Sequence, residues 1–156
     1  NDPPTTEIYT PQHSSAASDV YKRQPLRHAL WLLKEKQAME VSDKNAMVHK
    51  YVEAFDKADI NIIREIFSDD ARVEDPVGTD IHDGLEAVCA FYEGALASGA
   101  KLVLTGEARC AGNAVAFPFQ VQMPGVEIDI IDVFEFNHEG KVNSMKAYWG
   151  PENMKS

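Results

Sequence analysis

The sequence predicts an α+β domain in which three helices pack on one face of a curved, mostly antiparallel β-sheet. Apolar residues recur at helical spacing in the first half of the domain, as far as Gly99, which is a typical helix stop. Four strand-like runs follow, which begin at Lys101, Asn113, Val126 and Lys141. Helices followed by a meander of strands are typical of α+β domains, because neighbouring strands pair and the helices cover one face.

Composition excludes several classes of function. The chain has 156 residues and a net charge of −10 without a basic run, so nucleic acids and anionic membranes are poor partners. Its two cysteines, Cys89 and Cys110, form no CxxC pair, and no secretory leader is recognised. These features predict a cytoplasmic globular protein with one domain of ordinary size.

The first part of the chain differs in character from the rest. Residues 1–41 are predicted to be a disordered or weakly helical extension, and residues 42–156 the folded domain. The stretch "SSAASDVYKRQ", Ser14 to Gln24, also resembles translated sequencing-adapter text, so a second interpretation is that the extension is artefactual. Leucines at helical spacing follow it, at Leu26, Leu30 and Leu33.

Each of the three helices has a predicted start. The first begins behind a cap at Ser42 or Asp43, and Asp59 caps the second, which is short. Asp83 and Glu86 predict a capping box for the third helix. The apolar stripe of the first helix comprises Met47, Val48, Tyr51, Val52 and Phe55.

The segment "VEIDIIDVFEFN" places an acid in phase with apolar residues. Alternate residues of a strand point to opposite faces. The even positions are Val126, Ile128, Ile130, Asp132, Phe134 and Phe136. One face is therefore apolar except at Asp132. A carboxylate removed from water and left unpaired tends to stay protonated, so Asp132 is predicted to be a neutral hydrogen-bond donor. A carboxyl bonded to a backbone amide, or a bulge that turns it outward, is the alternative.

The preceding strand supplies a second apolar wall. A two-residue turn at Pro124-Gly125 pairs Met123 with Val126, and Phe117 then faces Asp132 on the shared face. Pro118 falls on the opposite face and predicts a sheet edge or a bulge. The inward residues of the two strands near this turn are Phe119, Val121, Met123, Ile128 and Ile130.

A donor in a dry pocket suits a reaction in which an oxygen gains negative charge, and such a site also needs a second donor and a base. Tyr51 is the residue of its helical stripe that carries a hydroxyl, and Asp75 lies at a strand end before Pro76. Each has a simpler interpretation, since Tyr51 suits a core residue with a bonded hydroxyl and Asp75 suits a turn. The loop "DIHD", Asp80 to Asp83, is better explained as a helix start than as a metal site.

Five motifs together resemble one enzyme family. They are "YVEAFDKADINIIREIFSDDARVEDPVG", "CAFYEGAL", "PFQVQM", "IDIIDVFEF" and "MKAYWG", which occur in this order between Met47 and Met154. The chain is similar in them to bacterial Δ5-3-ketosteroid isomerases, which share the cone-shaped fold of nuclear transport factor 2 (NTF2). The resemblance implies an NTF2-like fold, a steroid-like ketone as substrate, no cofactor or metal, and a homodimer.

The resemblance also implies roles for individual residues. Asp75 matches the general base, and Tyr51 and Asp132 match the two donors that hold the 3-oxo oxygen as it becomes a dienolate. The family is the known example of a carboxylic acid kept neutral by its apolar site. Tyr92 matches a tyrosine bonded to the catalytic one, and Trp149 matches an aromatic residue beside the base. The apolar wall residues match the substrate-binding cone.

Two departures concern specificity and support. Phe67 stands where some relatives carry a further tyrosine, and the Pro124-Gly125 turn is shorter than in the steroid isomerases. The alternatives are another NTF2-like enzyme, such as a cyclase, dehydratase or epoxide hydrolase, and a non-catalytic module that binds a hydrophobic ligand. Epoxide hydrolases of this fold use an Asp-Arg-Asp arrangement, and the two inward strand faces carry no arginine.

Overall fold

The computed structural model describes residues 26–30 and 39–156 of the chain. The chain divides after Lys36, and the unit Gln37–Ser156 holds the predicted domain. Residues 26–30 are helical, as the leucine spacing predicts, and the rest of the predicted extension up to residue 38, including Ser14–Gln24, lies outside the described residues. Within the described part, no helix is long and apolar enough to cross a membrane.

The domain contains three helices and eight strands among its described residues. The helices are α1 (Val41–Lys57), α2 (Ile60–Ile66) and α3 (Leu85–Ala97). The strands are β1 (Phe67–Glu74), β2 (His82–Asp83), β3 (Lys101–Leu104), β4 (Arg109–Ala111), β5 (Ala114–Met123), β6 (Val126–Phe136), β7 (Val142–Tyr148) and β8 (Met154–Lys155). A 3-10 turn, Pro151–Asn153, precedes β8.

The strands form one sheet in the order β2-β1-β7-β6-β5-β3, with β4 also paired to β5 and β8 to β6. The pairing is antiparallel except between β1 and β7. The helices pack on this sheet around a core that includes Val48 and Phe55 of α1 and Phe134 of β6. The predicted α+β class, with three helices on a mostly antiparallel sheet, is confirmed.

The helix starts agree with the predictions in one case of three. The Asp59 carboxylate accepts a hydrogen bond from the Asn61 amide at 2.9 Å and caps α2 as predicted. The predicted cap of α1 is wrong, because that helix begins at Val41 behind Glu40, which makes no side-chain cap bond. Ser42 and Asp43 consequently lie in the first turn, where the acid still faces the positive end of the helix dipole.

The capping box predicted for α3 is also wrong. Gly84 occupies the cap position with φ of +91°, a conformation that glycine adopts without steric cost. The two acids instead meet arginines across the surface. Asp83 lies 3.7 Å from Arg72, and Glu86 accepts a hydrogen bond from Arg64 at 2.7 Å.

The β5–β6 hairpin has the predicted register. Met123 pairs with Val126 and Phe117 with Asp132, within ten consecutive pairs. β5 lies inside the sheet, so Pro118 does not mark the edge of the whole sheet, but the ladders of β5 with β3 and β4 are interrupted at Phe117 and Pro118. The Pro118 carbonyl accepts a hydrogen bond from the Thr105 amide at 3.1 Å. In an antiparallel strand the nitrogen and carbonyl of one residue point to the same side, so the Pro118 nitrogen also faces the segment that connects β3 to β4. No ladder bond is lost there.

Candidate active site

Asp132 lies in the middle of β6 with its side chain turned into the core. It is 1% exposed, between Phe117 of β5 and Ala147 of β7. Among the described residues neither carboxyl oxygen has a hydrogen-bond partner of ordinary geometry, so the side chain is neither turned outward nor bonded to a backbone amide. Burial, and then the charge of Asp75, raise the pKa of Asp132 well above its usual value, whereas the Tyr51 hydroxyl opposes this. Both effects favour the protonated form of the Asp132 carboxyl.

Two tyrosine hydroxyls meet next to this acid. Tyr51 on α1 and Tyr92 on α3 are both buried, and their hydroxyl oxygens are 3.1 Å apart. The rings stand edge to face, with centroids 5.8 Å apart. Burial raises the pKa of both hydroxyls, and a negative charge on Asp132 would raise both further. If Tyr92 donates to Tyr51, the Tyr51 proton remains available to a ligand.

Asp75 follows the end of β1 and is half-buried. Its Oδ1 accepts a hydrogen bond from the Trp149 Nε1 at 2.7 Å. Burial raises the pKa of Asp75, while the Trp149 bond and the positive charge of His82 act in the opposite direction. The site thus holds two carboxyls in different environments, a fully buried one whose neutral form is favoured and a half-buried one that lines the cavity.

An apolar cavity of about 240 Å³ lies between the helices and the inner face of the sheet. Seven of the predicted site residues line it: Tyr51, Asp75, Tyr92, Phe119, Val121, Met123 and Ile130. The other four stand outside this lining. Phe67 packs against the ring of Tyr92, with ring centroids 5.4 Å apart, and Trp149 donates a hydrogen bond to Asp75. Ile128 is the cross-strand partner of Val121, and Asp132 lies deeper in the same wall, two residues after Ile130.

A second, larger groove lies elsewhere on the domain. It measures about 440 Å³ and runs between α1 and the connection from β3 to β4, where Asn45, His49 and Glu107 line it. None of the eleven predicted site residues lines this groove. We assign the candidate site to the smaller cavity, because perturbed titratable groups converge there with apolar walls.

A family comparison identifies the domain. The SnoaL-like domain model matches residues 48–145, which contain the cavity and both carboxyls. The chain belongs to the SnoaL-like family. This family has the NTF2-like fold, so the fold implied by the motifs is confirmed.

Two relatives of this SnoaL-like chain are enzymes by name. A steroid Delta-isomerase of Nocardioides simplex is 36% identical over 119 residues, which cover 72% of this chain and 94% of the relative. Among solved structures, the epoxide hydrolase/cyclase-like enzyme SalBIII, described for pyran ring formation in the polyether salinomycin, has 27% identity and a TM-score of 0.68. That match covers 72% of this chain and 95% of SalBIII. The comparisons support an NTF2-like enzyme with an isomerase among its relatives.

Part of the SnoaL-like cavity was missed from the sequence. The additional lining residues are Phe55, Phe91, Ala95, Ser98, Ala100 and Leu102. Phe55 belongs to the predicted stripe of the first helix, whereas the β3 sequence KLVL has three consecutive apolar residues and does not mark Leu102 as the inward one. Phe91 gave no signal of its own, because its position depends on the angle at which α3 crosses the sheet.

Proposed function

We propose that the protein is an isomerase that moves a double bond from β,γ to α,β conjugation in a 3-ketosteroid or a similar cyclic ketone. One observation carries the proposal: a buried carboxylic acid without a hydrogen-bond partner among the described residues lies beside an apolar cavity that also holds an exchangeable carboxyl. The reaction needs these two groups in different protonation states, and the different burial of Asp132 and Asp75 supports this assignment.

In the proposed mechanism the Asp75 carboxylate removes a proton from the carbon between the carbonyl and the alkene. The electron pair of that C–H bond moves toward the carbonyl, whose oxygen gains negative charge as a dienolate. Tyr51 and Asp132 donate hydrogen bonds to this oxygen. The protonated Asp75 then returns its proton to the far carbon of the former alkene, which completes the conjugated enone.

The surroundings of the donors explain why hydrogen bonds alone suffice in this mechanism. Phe117, Phe119 and Phe134 all pack around the Tyr51 ring, at centroid distances between 5.2 and 6.5 Å. Donors held in such a low-dielectric site stabilise developing charge strongly, and they need no reorientation during the reaction. Tyr92 holds the Tyr51 hydroxyl, and Trp149 holds Asp75.

The size of the cavity bears on the substrate. At about 240 Å³ it is smaller than the roughly 300–1,000 Å³ of typical ligand pockets. Met123 lines it directly before the Pro124-Gly125 turn, so this short turn lies at the rim. We expect the substrate to place its ketone ring inside and to leave the remainder at the rim.

A spectroscopic assay tests the function. The protein is mixed with a β,γ-unsaturated 3-ketosteroid, and the ultraviolet band of the conjugated enone is followed. We expect the band to grow with wild-type protein and to grow far more slowly with Asp75→Asn. No growth, together with tight binding of a phenolic steroid, would favour the non-catalytic module.

A second candidate is the opening of an epoxide by an internal hydroxyl to give a cyclic ether. The similarity to SalBIII favours it, because a neutral acid could protonate the epoxide oxygen while a carboxylate takes the proton of the hydroxyl. Hydrolysis with an Asp-Arg-Asp arrangement is less favoured, since no arginine is among the described residues that line the cavity. Incubation with an epoxy alcohol, followed by NMR of the product, distinguishes this candidate from the isomerase.

The homodimer implied by the resemblance is also a proposal. Ile131 and Tyr148 are cross-strand partners on the face of the sheet opposite to Asp132. They are 48% and 49% exposed, which is high for large apolar side chains placed together. A second copy of the chain would cover them.

Residues 1–38 are expected to be unnecessary for the reaction. Met39 packs against the core, and its side chain lies near Gly140, so a truncated protein should begin at Met39. Deletion of Asn1 to Ala38 should leave kcat/KM unchanged, because the cavity is lined by residues from Tyr51 onward. The enone assay and circular dichroism of the truncated protein check this, and loss of the fold would contradict the boundary.

A further inference from the structure

His82 on β2 is a titratable residue that the proposed mechanism does not use. It pairs with Val73 of β1, which is fully buried, and cross-strand partners share a face of the sheet. The imidazole therefore points inward, toward α3. It stacks on the ring of Phe91 with centroids 4.4 Å apart and an angle of 27° between the planes. Phe91 lines the cavity, so His82 supports the cavity wall from behind.

Asp75 lies two residues beyond Val73, the cross-strand partner of His82, and it lines the same cavity as Phe91, on which the imidazole stacks. The positive charge of His82 lowers the pKa of Asp75, in the same direction as the Trp149 hydrogen bond and against the larger effect of burial. An opposite charge near a carboxyl favours its ionised form. Asp75 is the catalytic base of the proposed function, and the base must be ionised to accept a proton.

Other charged groups near His82 have partners or face solvent. Arg72 and Asp83, its neighbours along the β1–β2 ladder, pair with each other on the exposed side. Glu74 accepts a hydrogen bond from the Gly78 amide, and Asp80 is exposed in the connecting loop. The α3 residues one turn either side of Phe91 are Val88, Ala87, Gly94 and Ala95, which carry no charge.

We propose that His82 is a positioning residue whose charge, when the imidazole is protonated, favours the carboxylate form of Asp75, and whose ring holds Phe91 against the ligand. The inference rests on the proposed function for one point, the use of Asp75 as the base. Its two parts, the charge and the stacked ring, can be separated by substitution. His82→Phe keeps an aromatic ring to stack on Phe91 and removes the charge, whereas His82→Ala removes both.

Kinetics of these variants test both parts. In His82→Phe we expect the acid limb of kcat/KM to move to higher pH, because Asp75 loses the charge that favours its ionised form, while KM at high pH stays unchanged. In His82→Ala we expect the same movement of the limb and a KM increase of about two- to tenfold from the lost ring contact. His138→Phe, in an exposed turn, is the matched control and should behave as the wild type.

A titration that needs no turnover completes the test. The carboxyl ¹³C signal of Asp75, identified by its absence in Asp75→Asn, is followed against pH in the wild type, His82→Phe and His82→Gln. The Asp75 midpoint should be higher in both variants, and an unchanged midpoint would overturn the role of the charge. Equal KM in His82→Ala and His82→Phe would overturn the role of the ring. A raised midpoint in a protein that does not isomerise the steroid would support the coupling and remove the proposed function.

Discussion

Asp132→Leu is expected to remain folded and to lose about 10²–10³ in kcat, the typical effect of removing one oxyanion donor. Leucine has the same branching and number of side-chain heavy atoms as aspartate, so it fits the space between Phe117 and Ala147. The change therefore removes the proton donor while it leaves the wall intact. Growth of the enone band under saturating substrate measures the loss.

The free energy of unfolding distinguishes a catalytic role of Asp132 from a structural one. An unpartnered buried polar group costs about 1–3 kcal/mol, so Asp132→Leu should be at least as stable as the wild type. Because the pKa of Asp132 is raised in the folded state, the wild type loses stability as pH rises above the usual value of 3.8 toward the folded value. The advantage of the leucine variant should therefore be larger at pH 7 than at pH 4, as measured by urea unfolding.

The control for Asp132→Leu lies on the same strand. Asp129 faces the other way, where it accepts from Gln120 at 3.0 Å and pairs with Lys155. Asp129→Leu should retain full activity and lose the small contribution of a surface ion pair. Severe unfolding of Asp132→Leu, with Asp129→Leu folded, would show that Asp132 makes a structural hydrogen bond.

Asp75→Asn is expected to lower kcat by about 10²–10⁴, the usual contribution of a general base. An asparagine oxygen can still accept the hydrogen bond of Trp149, so the side chain should keep its place while it loses its basicity. Wild-type kcat/KM should fall as pH is lowered through the pKa of Asp75, which burial raises above the usual value. The variant should lack this acid limb.

Asp69→Asn provides the comparison for the second prediction, because Asp69 is exposed on β1. The Asp69→Asn substitution removes the same charge from the protein and should leave the pH profile of kcat/KM unchanged. Turnover of Asp75→Asn at the wild-type rate would exclude Asp75 from the mechanism.

The strongest predictions from sequence concerned the hairpin, because two local rules determine it together. Strand residues alternate between faces, and a two-residue turn at Pro124-Gly125 leaves one register for the strands it joins. Those rules paired Phe117 with Asp132 before any tertiary contact was known, and the pairing is confirmed. The cavity wall from Phe119 to Ile130 follows from the same register.

Features that depend on the approach of distant segments were not predictable in this way. The short strand β4 has three residues and carries too little periodicity to be recognised. Lys44 is 3% exposed, and its ammonium donates to the Gly112 carbonyl, a contact across 68 residues that no helical pattern encodes. The 3.1 Å contact between Tyr51 and Tyr92 likewise depends on how α1 and α3 cross.

The ten-pair ladder of the β5–β6 hairpin has a consequence for the quality of refolded or expressed material. A slip by one residue would turn Ile131 or Val133 into the cavity and Asp132 into water, while the strand content of the protein stayed the same. Such molecules would give an ordinary circular dichroism spectrum and no donor at the ketone. Specific activity per folded molecule is thus a direct measure of the fraction of chains whose strands joined in the correct alignment.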